Sequence, residues 1–151
     1  MKHRIQFLTT LIALSLFATA AQAHTSIWPR QSVQGATEKY TIRIPTEGKV
    51  ATVGVEVEVP PGVIVETLQV PAGYTYELRR QDDRIAAITY RLNIKPGEFL
   101  EVGLVARNPR QGTELLWTLR QRYADGTVED FTRTANGPRP TALIRLTPRP
   151  N

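Results

Sequence analysis

The sequence has no cysteine, one methionine and only two histidines in 151 residues. Without a thiol the chain forms no disulfide and offers no zinc ribbon, iron–sulfur cluster, blue-copper site or cysteine nucleophile. It also lacks a glycine-rich phosphate loop and a Ser/His/Asp set placed for hydrolysis. We therefore expect a protein that is not an enzyme.

Positive charge is in excess but is not concentrated anywhere. The chain has 19 Lys and Arg against 14 Asp and Glu, and its basic residues form no run longer than Arg79-Arg80. No basic stripe is interleaved with aromatic side chains, which is the pattern typical of nucleic-acid binding. We expect a mixed, solvated surface and no nucleic-acid partner.

Residues 1–23 have the pattern of a signal peptide. A basic start is followed by an apolar stretch from Phe7 to Ala18 and by the small-x-small sequence Ala21-Gln22-Ala23. Cleavage between Ala23 and His24 predicts a periplasmic or secreted protein. No later segment approaches the roughly 20 apolar residues of a membrane-spanning helix, so we expect no membrane anchor in the mature chain.

Alternation of apolar and polar residues runs through the rest of the chain. It is typical of half-buried strands and is clearest from Val53 to Val59. Turn sequences such as Lys95-Pro96-Gly97 and Ala124-Asp125-Gly126 separate the strands. About nine strands and no helical stripe predict an all-β, antiparallel two-sheet sandwich of immunoglobulin or cupredoxin type. We expect one such domain at residues 24–147 and a short tail at 148–151.

The predicted cleavage leaves a single histidine, His24, at the new N-terminus. Its α-amine and its imidazole Nδ1 can close a chelate ring on one metal ion without a second residue. Nitrogen donors in a tetragonal plane favour Cu(II) among the common divalent metals, and a carboxylate is a natural third ligand. On this feature alone, an incidental terminal histidine stays an open alternative.

Several motifs occur in a fixed order after the cleavage point. The chain begins His24-Thr25-Ser26-Ile27-Trp28-Pro29 and continues with Gly35-Ala36-Thr37-Glu38-Lys39-Tyr40-Thr41-Ile42-Arg43-Ile44-Pro45. Val59-Pro60-Pro61-Gly62-Val63, Ala106-Arg107-Asn108-Pro109 and Gln121-Arg122-Tyr123-Ala124-Asp125-Gly126 follow. This ordered set resembles the YcnI-like family (domain of unknown function 1775), which are exported copper-binding proteins. The likeness extends over nearly all of the mature chain.

The resemblance implies a monohistidine brace that holds one Cu(II) ion per chain. His24 matches the family's first ligand, and Glu38 is matched to its glutamate ligand. The family's tryptophan near the copper corresponds to Phe131 here, which departs from the pattern, and Trp28 is an alternative aromatic neighbour of the site. The residues alone also allow Glu38 to be a solvated carboxylate at the edge of a strand. They allow Phe131 to be either a core residue or part of the wall of the site.

The resemblance thus implies a copper-trafficking or sequestration protein, with a copper transporter or another periplasmic copper carrier as its partner. A second hypothesis remains from a different class. It is a metal-free immunoglobulin-like interaction module of the cell envelope, in which the terminal histidine has no role.

Overall fold

The computed structural model of the protein describes residues 24–131 and 142–150. The predicted signal peptide, residues 1–23, lies outside these ranges. Among the residues described, none belongs to a helix long and apolar enough to cross a membrane.

Twelve β-strands make up the described chain, and no α-helix occurs in it. The all-β prediction is therefore confirmed. The strands are β1 (Ser26–Trp28), β2 (Gln31–Val33), β3 (Thr37–Pro45), β4 (Thr52–Glu58), β5 (Ile64–Gln69), β6 (Thr75–Gln81), β7 (Arg84–Ile94), β8 (Phe99–Arg107), β9 (Glu114–Leu116), β10 (Thr118–Tyr123), β11 (Val128–Asp130) and β12 (Leu143–Thr147).

Two antiparallel sheets form the sandwich. One has the order β1-β3-β8-β5 and the other the order β11-β10-β4-β7-β6. Alternation directs one face of each strand inward: Tyr40, Ile42 and Ile44 of β3 are fully buried, while Arg43 between them is exposed. One core cluster contains residues of both sheets and includes the fully buried Trp117.

A third, smaller sheet has the order β2-β12-β9. Strand β12 pairs with β9 in antiparallel orientation and with β2 in parallel orientation. Leu115, Ile144 and Leu146 from this sheet are buried in the same core cluster. The described chain is therefore built around one hydrophobic core.

Four strands are not predicted by the alternation: β1, β2, β5 and β9. Three of them have only three residues, which is too short to show a period. Strand β5 contacts the core through Val65 and Leu68, but a register shift between Val65 and Thr67 interrupts the period of two. Trp117 lies between β9 and β10, and its N–H donates to the carbonyl of Ala142 (3.0 Å).

The pairing of β1 with β3 decides which residues meet at each end of the sandwich. The two strands are antiparallel, with Ser26 opposite Arg43 and Trp28 opposite Thr41. His24, two residues before Ser26, therefore lies level with Pro45 at the end of β3. We use the term His24 end for residues 24–25 and 45–47. It also includes three neighbouring residues, Gln121 and Tyr123 of β10 and Phe131 after β11.

Candidate metal centre

His24 precedes the first strand, and its ring packs against an aromatic side chain of the other sheet. The centroids of the His24 and Phe131 rings are 5.5 Å apart, and their planes are inclined by 37°. Phe131 directly follows β11, and its N–H donates to the carbonyl of Leu119 in β10 (2.8 Å). Phe131 is half-buried and packs against the core cluster as well. It is therefore both a core residue and a wall beside His24.

A buried hydrogen-bond network fixes the residue that follows His24. Thr25 donates from its hydroxyl to Oε1 of Gln121. Nε2 of Gln121 donates to the carbonyl of Pro45 (2.7 Å) and to Oγ1 of Thr52 (2.6 Å). This network joins the start of β1 and the end of β3 to strands β10 and β4 of the opposite sheet. Its side chains are nearly or fully buried, which is favourable only because their polar atoms are paired.

Glu38 does not lie at the His24 end, so the strand register does not bring together the two residues expected to be ligands. Glu38 is the second residue of β3, opposite Ala106 of β8, and is seven residues from Pro45. At about 3.3 Å per residue that is about 23 Å along the strand. Its Oε2 instead accepts a hydrogen bond from Ser32 (2.8 Å).

Glu47 is the carboxylate that follows β3 at the His24 end. It follows β3 two residues after Pro45, and its side chain is exposed. Thr46, between them, is anchored: its hydroxyl is 2.6 Å from that of Thr52, and its N–H donates to the carbonyl of Glu98 (2.9 Å). The sequence motif Pro45-Thr46-Glu47 could have indicated this residue only if the antiparallel pairing of β1 with β3 had been recognised.

Tyr123 adds a hydroxyl to the same region. It is paired with Thr52 of β4, and its Oη donates to Oε2 of Glu129 (2.8 Å). Burial raises the pKa of Tyr123, and the hydrogen bond to Glu129 and the negative charges of Glu129 and Glu47 raise it further. Glu47 thus contributes to the negative charge that acts on Tyr123 at the end of β10.

Trp28 lies on a different part of β1. It is opposite Thr41, its side chain is 45% exposed, and the Arg30 guanidinium carbon lies 4.5 Å from the centroid of its indole ring. The aromatic ring that contacts His24 is that of Phe131. Of the two aromatic residues expected near the site, the structure thus brings Phe131 to His24 and places Trp28 against Arg30.

The donor types at the His24 end fit a divalent metal ion. His24 supplies an imidazole and Glu47 a carboxylate, and such nitrogen and oxygen ligands suit Cu(II) better than Cu(I), which prefers thiolate and thioether sulfur. In the ranges that the structure describes, no group of three or more His, Cys, Asp and Glu side chains could hold a metal. The side chains alone therefore provide an incomplete ligand set at this end.

Fold and site together define an immunoglobulin-like β-sandwich with a histidine and a carboxylate at one end. The chain belongs to the family described as domain of unknown function (DUF1775), whose model matches residues 24–146. The match begins at His24 and confirms the resemblance to the YcnI-like family.

Three similar proteins bear on this assignment. Copper-binding protein CutI from Bacillus subtilis (strain 168) is 28% identical over 138 residues, which cover 89% of this chain and 68% of CutI. An uncharacterized protein from Nocardia farcinica with an immunoglobulin-like fold superimposes with a TM-score of 0.68 at 24% identity, covering 82% of this chain and 97% of that one. A cohesin module from Clostridium perfringens gives a TM-score of 0.52 at 10% identity, covering 83% and 100%. The two structures show the fold, and the immunoglobulin-like prediction is confirmed.

Proposed function

We propose that the chain is an exported copper-binding protein that holds one Cu(II) ion at the His24 end. The observation that carries the proposal is the position of His24, which packs against Phe131 at the end of the sandwich to which β3 also brings Glu47. The similarity to a relative named as a copper-binding protein supports copper as the ion.

The proposed ligands are two nitrogens of His24 and one carboxylate oxygen. Cleavage after Ala23 would free the α-amine of His24, which then binds the ion together with the imidazole Nδ1. Metal binding at such donors requires their neutral forms and releases any proton they carry. Glu47 supplies the oxygen ligand in place of Glu38, because the register brings Glu47 to this end and separates Glu38 from it.

The ligand set favours storage and transfer of Cu(II) over redox chemistry. The sequence has no cysteine, and its single methionine, Met1, lies in the predicted signal peptide. Without soft sulfur ligands the site binds Cu(I) weakly. We propose a non-enzymatic role in copper trafficking or sequestration in the periplasm or outside the cell. A copper transporter or another periplasmic copper carrier is the proposed partner.

The direct test compares two N-termini. Protein that begins at His24 is expected to bind one equivalent of Cu(II) tightly and to give an electron paramagnetic resonance spectrum with nitrogen hyperfine structure. Protein with one alanine added before His24 keeps every side chain but loses the terminal chelate, so its affinity is expected to fall by about tenfold or more. Equal affinity of the two proteins would overturn the brace, and absence of tight binding by both would favour the metal-free interaction module.

A further inference from the structure

Gln121 is a buried amide in an otherwise apolar row. The side chains of Trp117 and Leu119 precede it on the inner face, and all three are at most 1% exposed. An apolar side chain of similar volume could fill such a position without the cost of removing an amide from water. A buried amide at this position is therefore favourable only if both its oxygen and its nitrogen have hydrogen-bond partners.

The partners of Gln121 lie on both segments that form the His24 end. Its Oε1 accepts from Thr25, and its Nε2 donates to the carbonyl of Pro45 (2.7 Å). The Pro45 carbonyl can only accept, which orients the amide nitrogen toward it and leaves the oxygen for Thr25. Thr25 is adjacent to His24, and Pro45 is two residues from Glu47. The Gln121 amide therefore supplies an acceptor for Thr25 and a donor for the Pro45 carbonyl at the same time.

We propose that Gln121 is a positioning residue for the metal site, fixing His24 through Thr25 against the end of β3 that carries Glu47. The inference rests on the proposed copper function and adds a residue that does not touch the ion. Phe131 packs against the His24 ring, and the hydrogen bond from Thr25 to Gln121 fixes the residue that follows His24. Groups that orient metal ligands in this way typically change metal affinity by 10–100-fold when removed.

The test uses protein that begins at His24 and two substitutions, Gln121→Met and Thr25→Val, alone and together. Each single substitution is expected to weaken Cu(II) binding by about tenfold and to change the electron paramagnetic resonance parameters of the bound ion. Because both act through one hydrogen bond, the double variant is expected to lose little more than Gln121→Met alone. If Gln121→Met fails to fold, Thr25→Val still tests the bond.

A matched control comes from the opposite end of β3. Asn108 is also a buried amide, bonded to Tyr40, Ser32 and the carbonyl of Val33. Asn108→Leu is expected to lower the melting temperature without changing the copper spectrum or affinity. A purely structural role of Gln121 predicts the same behaviour for Gln121→Met, and that result would overturn the inference.

The metal-free protein gives an independent readout. Protein that begins at His24 has one histidine, so its imidazole proton resonances are unambiguous and report the ring current of Phe131. Gln121→Met and Thr25→Val are expected to shift these resonances, and unchanged resonances together with unchanged affinity would refute the positioning role. If the unsubstituted protein binds no copper while the resonances shift, the proposed function fails and the positioning of His24 by Gln121 stands.

Discussion

The imidazole of His24 packs against the ring of Phe131, with centroids 5.5 Å apart. This contact joins two segments that are separated by more than a hundred residues in sequence and belong to different sheets. The contact gives the only histidine of the described chain a defined position against the sandwich.

We expect Phe131→Ala to release the His24 ring. In metal-free protein that begins at His24, the imidazole proton resonances are expected to move toward their values in an unstructured peptide, because the aromatic ring current is lost. The half-buried ring contributes about 1–2 kcal/mol of stability by apolar burial. Phe99→Ala is the control, since the Phe99 side chain is 63% exposed. A His24 spectrum that does not respond to Phe131→Ala would contradict the contact.

Two glutamates of the same region of sequence are expected to differ in copper binding. Glu47→Gln removes the proposed oxygen ligand, and we expect the Cu(II) affinity to fall by about tenfold or more in a competition titration. Glu38→Gln keeps an oxygen that can accept from Ser32, and we expect the affinity to stay within about twofold of the original. The reverse ranking would restore Glu38 as the ligand and show that the register argument is wrong.

Asn108 is expected to be a major contributor to stability at the opposite end of β3. It accepts from Tyr40 and donates to Oγ of Ser32 and to the Val33 carbonyl, both at 2.9 Å. Asn108→Leu removes all three hydrogen bonds and takes this acceptor from the buried Tyr40 hydroxyl, so the free energy of unfolding in urea is expected to drop by about 2–4 kcal/mol. The exposed Asn93→Ala serves as the control and is expected to change stability by less than about 0.5 kcal/mol.

Two buried tyrosines are expected to respond oppositely to removal of their hydroxyl groups. Tyr90 Oη has no hydrogen-bond partner in the described part of the chain, whereas Tyr40 Oη donates to Asn108. Tyr90→Phe removes an unpaired buried polar group and is expected to be neutral or stabilising by up to about 1 kcal/mol. Tyr40→Phe is expected to destabilise the protein by about 1 kcal/mol. Urea unfolding of both variants measures the difference, and a large loss in Tyr90→Phe would reveal an undetected partner.

Alkaline pH is expected to destabilise the protein through the same residues. Burial raises the pKa of Tyr40 and of Tyr90 to about 12 from the usual 10.0. A group whose pKa is raised by folding favours its protonated form in the folded state, so its contribution is complete below about pH 10 and is lost as the pH rises toward 12. We expect the free energy of unfolding to decline over that interval. A free energy of unfolding that stays constant between about pH 10 and 12 would contradict this expectation. Tyr90→Phe is expected to make the decline of the free energy of unfolding with pH less steep.

Much of the fold follows from the sequence because a strand leaves a local pattern. The inward positions of β3, Tyr40, Ile42 and Ile44, are apolar at every second residue, and the structure buries all three. The Ala124-Asp125-Gly126 turn is equally local: Oδ1 of Asp125 accepts from the N–H of Thr127 (2.9 Å), and Gly126 has a φ of 88°. Such features depend on neighbours within a few residues.

The position of Glu38 relative to His24 could not be predicted from local sequence patterns. Glu38 is nearer to His24 in sequence than Glu47 is, but antiparallel pairing of β1 with β3 turns the chain back, so that the later residue lies at the His24 end. The position of Gln121 on an inward face is visible in the sequence. Its partners Thr25 and Pro45 are 96 and 76 residues away, and no local pattern identifies them.

Sequence patterns were enough to predict an all-β sandwich of the DUF1775 family and to identify His24 as the residue on which a metal site would depend. Alternation, turn residues and an ordered set of motifs are encoded locally, so they are readable without coordinates. The packed fold was needed to place Gln121 and Glu47 at the His24 end and Glu38 away from it. It also brings Phe131, which the family resemblance had already indicated as a neighbour of the site, into contact with the His24 ring. Strand register and the packing of one sheet on the other set those neighbours, and both arise from contacts between residues far apart in the chain.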